Sequence, residues 1–164
     1  MANWVGSFQD EKTFLSNMYR QPIYFNRQHE IFVSDELVYP STENLYHALK
    51  CQHVDDRIRF IKCTPFESKK LSKTMYVRPD WDDDMKIEAM KLCIDLKFDY
   101  NIDLQDKLLA IPDEIIVEEN NWGDRFWGMT YNHAKGHFVG QNNLGHILTS
   151  KREQLRIIRA NDLL

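Results

Sequence analysis

A carboxylate, a phenol, an imidazole and an amine recur along one short stretch of the chain, as Glu43, Tyr46, His47 and Lys50. In an α-helix these four positions fall along one side. Glu43 and Lys50 would then stand about 10 Å apart along the axis, too far for the ion pair that spacings of three or four favour. Such a stripe suits the wall of a polar cleft. The alternative is a solvated helix face on which Glu43 only stabilises the N-terminus.

A second cluster runs Asn120-Asn121-Trp122-Gly123-Asp124-Arg125-Phe126-Trp127-Gly128. Its tryptophans offer stacking surface for a flat base or cover for a ribose, and they can exclude water from the Asp124 carboxylate. Its glycines let backbone approach a ligand. A turn with two core aromatics is the competing explanation. Arg78-Pro79-Asp80-Trp81 joins a guanidinium fork suited to phosphate with an indole that can stack; alternatively Arg78 pairs with Asp80 or Asp82 and Trp81 fills the core. Gly140-Gln141-Asn142-Asn143-Leu144-Gly145 precedes a helix carrying Arg152, and backbone donors at a helix start favour an anion. The spacing matches neither a phosphate-binding P-loop nor a dinucleotide fingerprint, so a helix-capping loop is the plainer reading.

Other chemistries find little support. The six histidines lack zinc-protease spacing, and the His133 and His137 pair encloses Gly136 in a polar setting. No Gly-x-Ser-x-Gly elbow is present. Cys51, Cys63 and Cys93 are an odd number with no Cys-x-x-Cys pair, which predicts reduced thiols rather than a disulfide framework.

The elements that must position these residues are mostly helical. Ser41 after Pro40 can cap a helix running to about Gln52. Thr64-Pro65-Phe66-Glu67 has the form of a capping box with proline at the first helical position, opening a helix that ends near Lys73. Asp82, Asp83 and Asp84 begin a longer helix with Ile87, Met90, Ile94 and Phe98 at helical spacing. A shorter helix runs from Asp103 to Ala110, and a last one from about Asn143 into the Ile157 region. Candidate strands lie near Ile23 to Phe25 and Ile31 to Val33, joined by a turn at Asn26-Arg27-Gln28-His29, and at Glu114-Ile115-Ile116-Val117-Glu118. Helices with a few short strands, irregularly alternated, predict an α+β fold that is mainly helical.

A length of 164 residues with scattered Gly and Pro and no repeat predicts a single domain, residues 1–164. The composition is 43% hydrophobic and 28% charged, as in globular proteins. No apolar run approaches a membrane span, and no basic-then-apolar leader opens the chain, so a cytoplasmic protein without membrane association is expected. The net charge is -4, and the basic residues are interspersed with acids. General attraction to phosphates would therefore not drive capture of a nucleic acid.

Taken in order, these clusters resemble the NADAR (YbiA-like) family. The matching segments are Phe14-Leu15-Ser16-Asn17-Met18-Tyr19, the stretch from Tyr39 to Lys50, Arg78 to Trp81, Lys97-Phe98, Leu108-Leu109, Glu118, Trp122-Gly123-Asp124 with Trp127-Gly128, and Gly140 to Gly145 followed by Arg152. Together they cover about residues 8–155. The family often has Phe where Met18 stands, and His or Gln where Asn44 and His47 stand.

The resemblance implies a YbiA-like α+β fold and an N-glycosidase. Family activities include cleavage of phosphoribosylamino intermediates of riboflavin biosynthesis and removal of ADP-ribose from guanine in nucleic acid; some relatives act as antitoxins. By position, the family's active-site Glu falls on Glu43, its Trp on Trp81, and its later Asp and Trp on Asp124 and Trp127. The expected catalytic residues are Glu43, Asp124 and Lys50, with Lys50 either orienting Glu43 through an intermediate group or attacking the opened sugar. Around them Asn17, Tyr46, Arg78, Trp81, Trp122, Gly123, Trp127, Asn142 and Arg152 are expected to bind a phosphorylated ribosyl or ADP-ribosyl substrate, free or within nucleic acid. No cofactor or metal is required. The rival reading is a non-catalytic ADP-ribose or nucleotide-binding module, which predicts saturable binding and an unchanged ligand.

Overall fold

A computed structural model describes residues 4–6, 8–26 and 36–162. The chain divides into two compact units, one formed by Ser16–Tyr100 and the other by Met1–Leu15 with Asn101–Leu164. The α+β class expected from the sequence is what the structure has, with helices predominating over short two-stranded sheets. No helix among the described residues is long and apolar enough to cross a membrane.

The Ser16–Tyr100 unit opens with an antiparallel pair, β2 (Arg20–Asn26) and β3 (Glu36–Ser41), in which Tyr24 faces Val38 and Phe25 faces Leu37. Its first strand is longer than the Ile23 to Phe25 core expected. The second expected strand, Ile31 to Val33, and the turn leading to it lie outside the described residues. β3 runs straight into α1 (Thr42–Leu49), where the Ser41 hydroxyl accepts from the Asn44 amide. Helix α2 (Val54–Arg57) and a 3-10 segment (Ile58–Lys62) follow, and neither was expected. The capping box is present: Glu67 N–H donates to the Thr64 hydroxyl while the Glu67 carboxylate accepts from the Thr64 amide, opening α3 (Pro65–Leu71).

Helix α4 (Asp83–Asp99) starts at Asp82, whose carboxylate accepts from the Met85 amide. Met90, Cys93, Ile94 and Phe98 on one side are buried. α1 packs on α3 and α4, so its own burial is nearly complete from Thr42 to Leu49.

In the other unit β1 (Trp4–Val5) pairs in parallel with β4 (Ile115–Ile116), and α5 (Ile102–Leu109) packs on α6 (Asn143–Asp162). β4 is shorter than the five-residue run expected, and the cause is a side chain. Past the Val5–Ile116 pairing the ladder is replaced by the Asn142 amide, which donates to the Ile116 carbonyl at 2.9 Å and accepts from Glu118 N–H at 3.0 Å. A hairpin the sequence reading missed, β5 (Thr130–Asn132) with β6 (His137–Val139), closes through a turn in which Asn132 accepts from the amides of Lys135 and Gly136.

Candidate active site

In the Ser16–Tyr100 unit, Glu43 occupies the first turn of α1. Its backbone N–H donates to the Asn17 carbonyl at 3.0 Å, which straps the segment after residue 15 across the start of the helix. Its carboxylate lies 2.9 Å from His47 Nε2, one turn further along, with the two side chains only 12% and 11% exposed. His47 Nδ1 is buried with no hydrogen-bond partner among the described residues, and so is Asn17 Oδ1. Buried polar atoms are normally satisfied, so these mark a place where a ligand or water belongs.

Tyr46 is buried on the same helix, its ring 5.4 Å from that of Trp81 and 5.5 Å from the His47 ring. The link that brings Trp81 there is backbone. Gln52 N–H donates to the Tyr76 carbonyl, Cys51 bridges Val77, and Arg78 N–H donates to the Lys50 carbonyl at 3.1 Å. Residues 76–78 thus lie along the end of α1, and the next turn delivers the indole to Tyr46.

Arg78, expected to hold phosphate, is engaged by Asp80 through two hydrogen bonds of 2.6 and 2.7 Å. This is the competing arrangement weighed from the sequence, and the bond holds the Asp80 carboxyl below the usual carboxylate range. Lys50 caps α1, half-buried; the group bonded to Glu43 is His47.

Two contributors were given no role from the sequence. His47 was read only as part of the stripe, although its spacing of four from Glu43 is the one that permits a contact. Lys97 was visible only in the matched Lys97-Phe98 pair. It is fully buried on α4 and donates to the Ser16 carbonyl at 3.0 Å, next to the Asn17 peptide that holds Glu43. Burial pulls its ammonium down to about 7. A lysine between the core positions Ile94 and Phe98 was the available signal. The same helix face carries Cys93, whose thiol is pushed up chiefly by burial and further by the Glu43 charge.

In the other unit Asp124 is a rigidly placed carboxylate. Oδ1 accepts from the amides of Phe126 and Trp127 at 3.0 and 2.9 Å. Its backbone is clamped by the Asn120 side chain, which accepts from Asp124 N–H and donates to the Asp124 carbonyl. Thr130 completes the clamp with a hydroxyl donated to Asn120 Oδ1. Gly128 is required by close approach, since a Cβ there would meet the Glu118 carbonyl at 2.1 Å. Trp127 is half-buried, edge-on to Phe126 at 4.8 Å.

Trp122 differs from expectation. It is 67% exposed and does not shelter Asp124; Gly123 between them turns the chain at φ +88°. That positive φ, not a close approach, is what Gly123 serves, because nothing lies within 4 Å of its would-be Cβ.

The Gly140 to Gly145 segment is a capping loop rather than an anion cradle. The amides of residues 141–144 already donate to the carbonyls of Arg125, Gly128, Phe126 and Trp127. Asn142, expected to bind substrate, has its amide committed to Ile116 and Glu118. Arg152, expected to hold phosphate, is 3% exposed, and its Nη1 donates to the carbonyls of Pro112 and Glu114 at 2.6 and 3.1 Å. Both are structural clamps here, buried by partners far away in sequence.

A family model described as a NADAR domain matches residues 4–156. A riboflavin biosynthesis protein of Vibrio vulnificus is 32% identical over 156 residues, a match covering 86% of this chain and 40% of that protein. An N-glycosidase of Nostoc punctiforme is 38% identical over 95 residues, covering 57% of this chain and 56% of the relative. The N-glycosidase YbiA of Escherichia coli is 28% identical over 127 residues, with 75% and 74% covered. The chain spans about half the length of the first two relatives. The NMR structure of Escherichia coli YbiA shares the fold, with a TM-score of 0.74 at 23% identity over 98% of this chain and 89% of that one.

Proposed function

We propose that this chain, which belongs to the NADAR domain family, hydrolyses the N-glycosidic bond of ribosylated or ADP-ribosylated compounds. The substrates considered are ADP-ribosyl-guanine in nucleic acid and phosphoribosylaminopyrimidines. The observation that carries this reading is the Glu43–His47 pair, 2.9 Å apart and mostly enclosed, beside the Tyr46–Trp81 ring wall.

Breaking a ribosyl C–N bond develops positive charge on the anomeric carbon and ring oxygen, the oxocarbenium character met in glycoside hydrolysis. A fixed carboxylate stabilises that charge or takes the proton of the attacking water. In the proposed reaction the water oxygen bonds to the anomeric carbon as the C–N bond breaks, Glu43 receives the water proton, and the departing nitrogen is protonated. His47 positions the carboxylate. Tyr46 and Trp81 offer a flat apolar surface for the leaving ring. Lys50 is a candidate for orientation or for attack on the opened sugar. Asp124 is proposed as the second acid, protonating the departing nitrogen or holding the ribose hydroxyls, and loss of turnover in Asp124→Asn with the fold intact tests it.

The chemistry is decided by mass spectrometry of products from a panel of N-ribosylated compounds, including ADP-ribosylated DNA. Release of free base or amine by the wild type, lost in Glu43→Gln, is the expected result. Turnover in Glu43→Gln equal to wild type, with the fold intact, would remove the mechanism. An unchanged panel with saturable binding would favour the non-catalytic module.

A further inference from the structure

The β5–β6 hairpin presents an aromatic face to solvent. Tyr131 and Phe138 are cross-strand partners with ring centroids 5.2 Å apart, and His133 meets Tyr131 edge-on at 5.0 Å. Residues directly opposite on paired strands share a face, and the His133 ring just past β5 touches Tyr131, so the three rings belong to one surface. Tyr131 is 42% exposed and Trp122 67%. Large aromatics left in water on a compact protein call for an explanation.

These rings line one cavity of about 390 Å³, together with Gln9, Glu119, Asn120, Asn121 and Thr130. That size is within the range of small-molecule sites. Asn120 is rigid there because its amide is occupied with Asp124, Met129 and Thr130. The wall contains a carboxylate and amides but no lysine or arginine, and Asp124 is not part of it. A phosphate or other anion is therefore disfavoured, since it would meet the Glu119 carboxylate with only the His133 imidazole, and no lysine or arginine, to offset it. A flat, uncharged ring that stacks on one aromatic, Tyr131, and turns hydrogen-bond donors toward the carboxylate suits this combination of an indole, a phenol and an acid. Nucleobases bearing an exocyclic amino group have that form, and a carboxylate accepts from the amino group of cytosine.

We propose that this cavity is a subsite for an unpaired, amino-bearing nucleobase, stacked face-on against Tyr131 and bordered edge-on by Phe138, whose ring stands at 71° to it, with the donor edge of the base toward Glu119. Stacking on protein aromatics tolerates sequence and needs the base out of a duplex. The base can come from a free nucleoside or from a single-stranded nucleic acid, and one experiment separates the sources. Turnover is not required.

The test is isothermal titration of the full chain with 9-methylguanine and 1-methylcytosine, which have no glycosidic bond, and with 1-methyluracil, which has no amino group. A short single-stranded oligonucleotide and the same strand made abasic complete the set. Saturable binding of the two amino-bearing bases over 1-methyluracil is expected, weakened about tenfold by Tyr131→Ala and by Glu119→Gln. For the isolated bases it should be insensitive to salt, because the bases are uncharged and release no counterions on binding. An oligonucleotide that binds more tightly than the bases, but not when abasic, identifies a nucleic-acid source; equal affinity identifies the free compound. Absence of saturable binding to every base-bearing ligand overturns the proposal. So does binding that both variants leave unchanged, or that the abasic strand reproduces. Since the methylated bases cannot be hydrolysed, none of these results depends on the glycosidase reading.

Discussion

Glu43 Oε1 and His47 Nε2 stand 2.9 Å apart, one turn from each other on α1, and the helix around them is buried on nearly every side. The carboxylate is therefore held by a ring that is itself held by Tyr46 and the helix backbone. On the proposed mechanism, His47→Ala releases Glu43 from its position and lowers kcat about 10- to 100-fold, the scale on which misplaced catalytic groups cost rate. His47→Gln, whose amide can still donate to the carboxylate, retains most of the activity. Steady-state kinetics of both variants on a substrate found in the product screen check this, and equal losses would show that the hydrogen bond is not what matters.

Trp81→Ala removes half of the ring wall. If Tyr46 and Trp81 hold the leaving ring, KM rises by roughly tenfold while kcat changes less. A fall in kcat at constant KM would assign Trp81 to the transition state instead.

Lys97 makes stability depend on pH. Its folded-state value, about 7, lies below the ordinary 10.5 because of burial. Between those limits the unfolded chain binds the extra proton, so the burial penalty is fully present below about pH 7 and is relieved as pH rises toward 10.5. Relative to Lys97→Met, the wild type should gain stability across that window with a slope of at most about 1.4 kcal/mol per pH unit. Urea unfolding of both proteins at several pH values measures the difference, and parallel curves would refute it.

Asn142→Ala leaves the Ile116 carbonyl and Glu118 amide without the partner that replaces the strand ladder. It also puts alanine at φ +54°, where asparagine is tolerated and alanine is strained. A loss of about 2–4 kcal/mol is expected. Asn142→Gly relieves the backbone strain but not the lost bonds, so it should recover only part of that loss. Chemical denaturation ranks the two.

Gly128→Ala places a methyl group against the Glu118 carbonyl, a backbone atom with little freedom to move. Destabilisation on the order of 1–3 kcal/mol is expected, together with displacement of the Asp124 turn. Thermal unfolding reads the first effect. The chemical shifts of the Phe126 and Trp127 amides read the second.

What the sequence revealed was what is decided locally. The caps at Ser41, Thr64 and Asp82 lie within three residues of their partners, and the α4 stripe of Met90, Ile94 and Phe98 repeats at one period. What it hid was settled across the chain. Arg152 and Asn142 carry the chemistry of ligand-binding residues, but their partners are carbonyls and amides 24 to 40 residues away, which no spacing rule reaches. The strands around Tyr131 and Phe138 are three residues each, too short for alternation to register. The burial of Lys97 is likewise set by how α4 packs, which the Lys97-Phe98 pair alone does not tell.

The carbonyls of residues 125–128 receive the amides of residues 141–144, two from the loop before α6 and two from its start, so the Asp124 turn is fastened to a helix of 20 residues. Such a turn has no hinge of its own; swinging it outward would mean breaking the start of that helix. In this part of the molecule the carboxylate is preset, and on the proposed function a ligand would meet it without a rearrangement of this turn. Amide exchange at residues 141–144 should accordingly be among the slowest in the unit, and adding ligand should leave it unaltered.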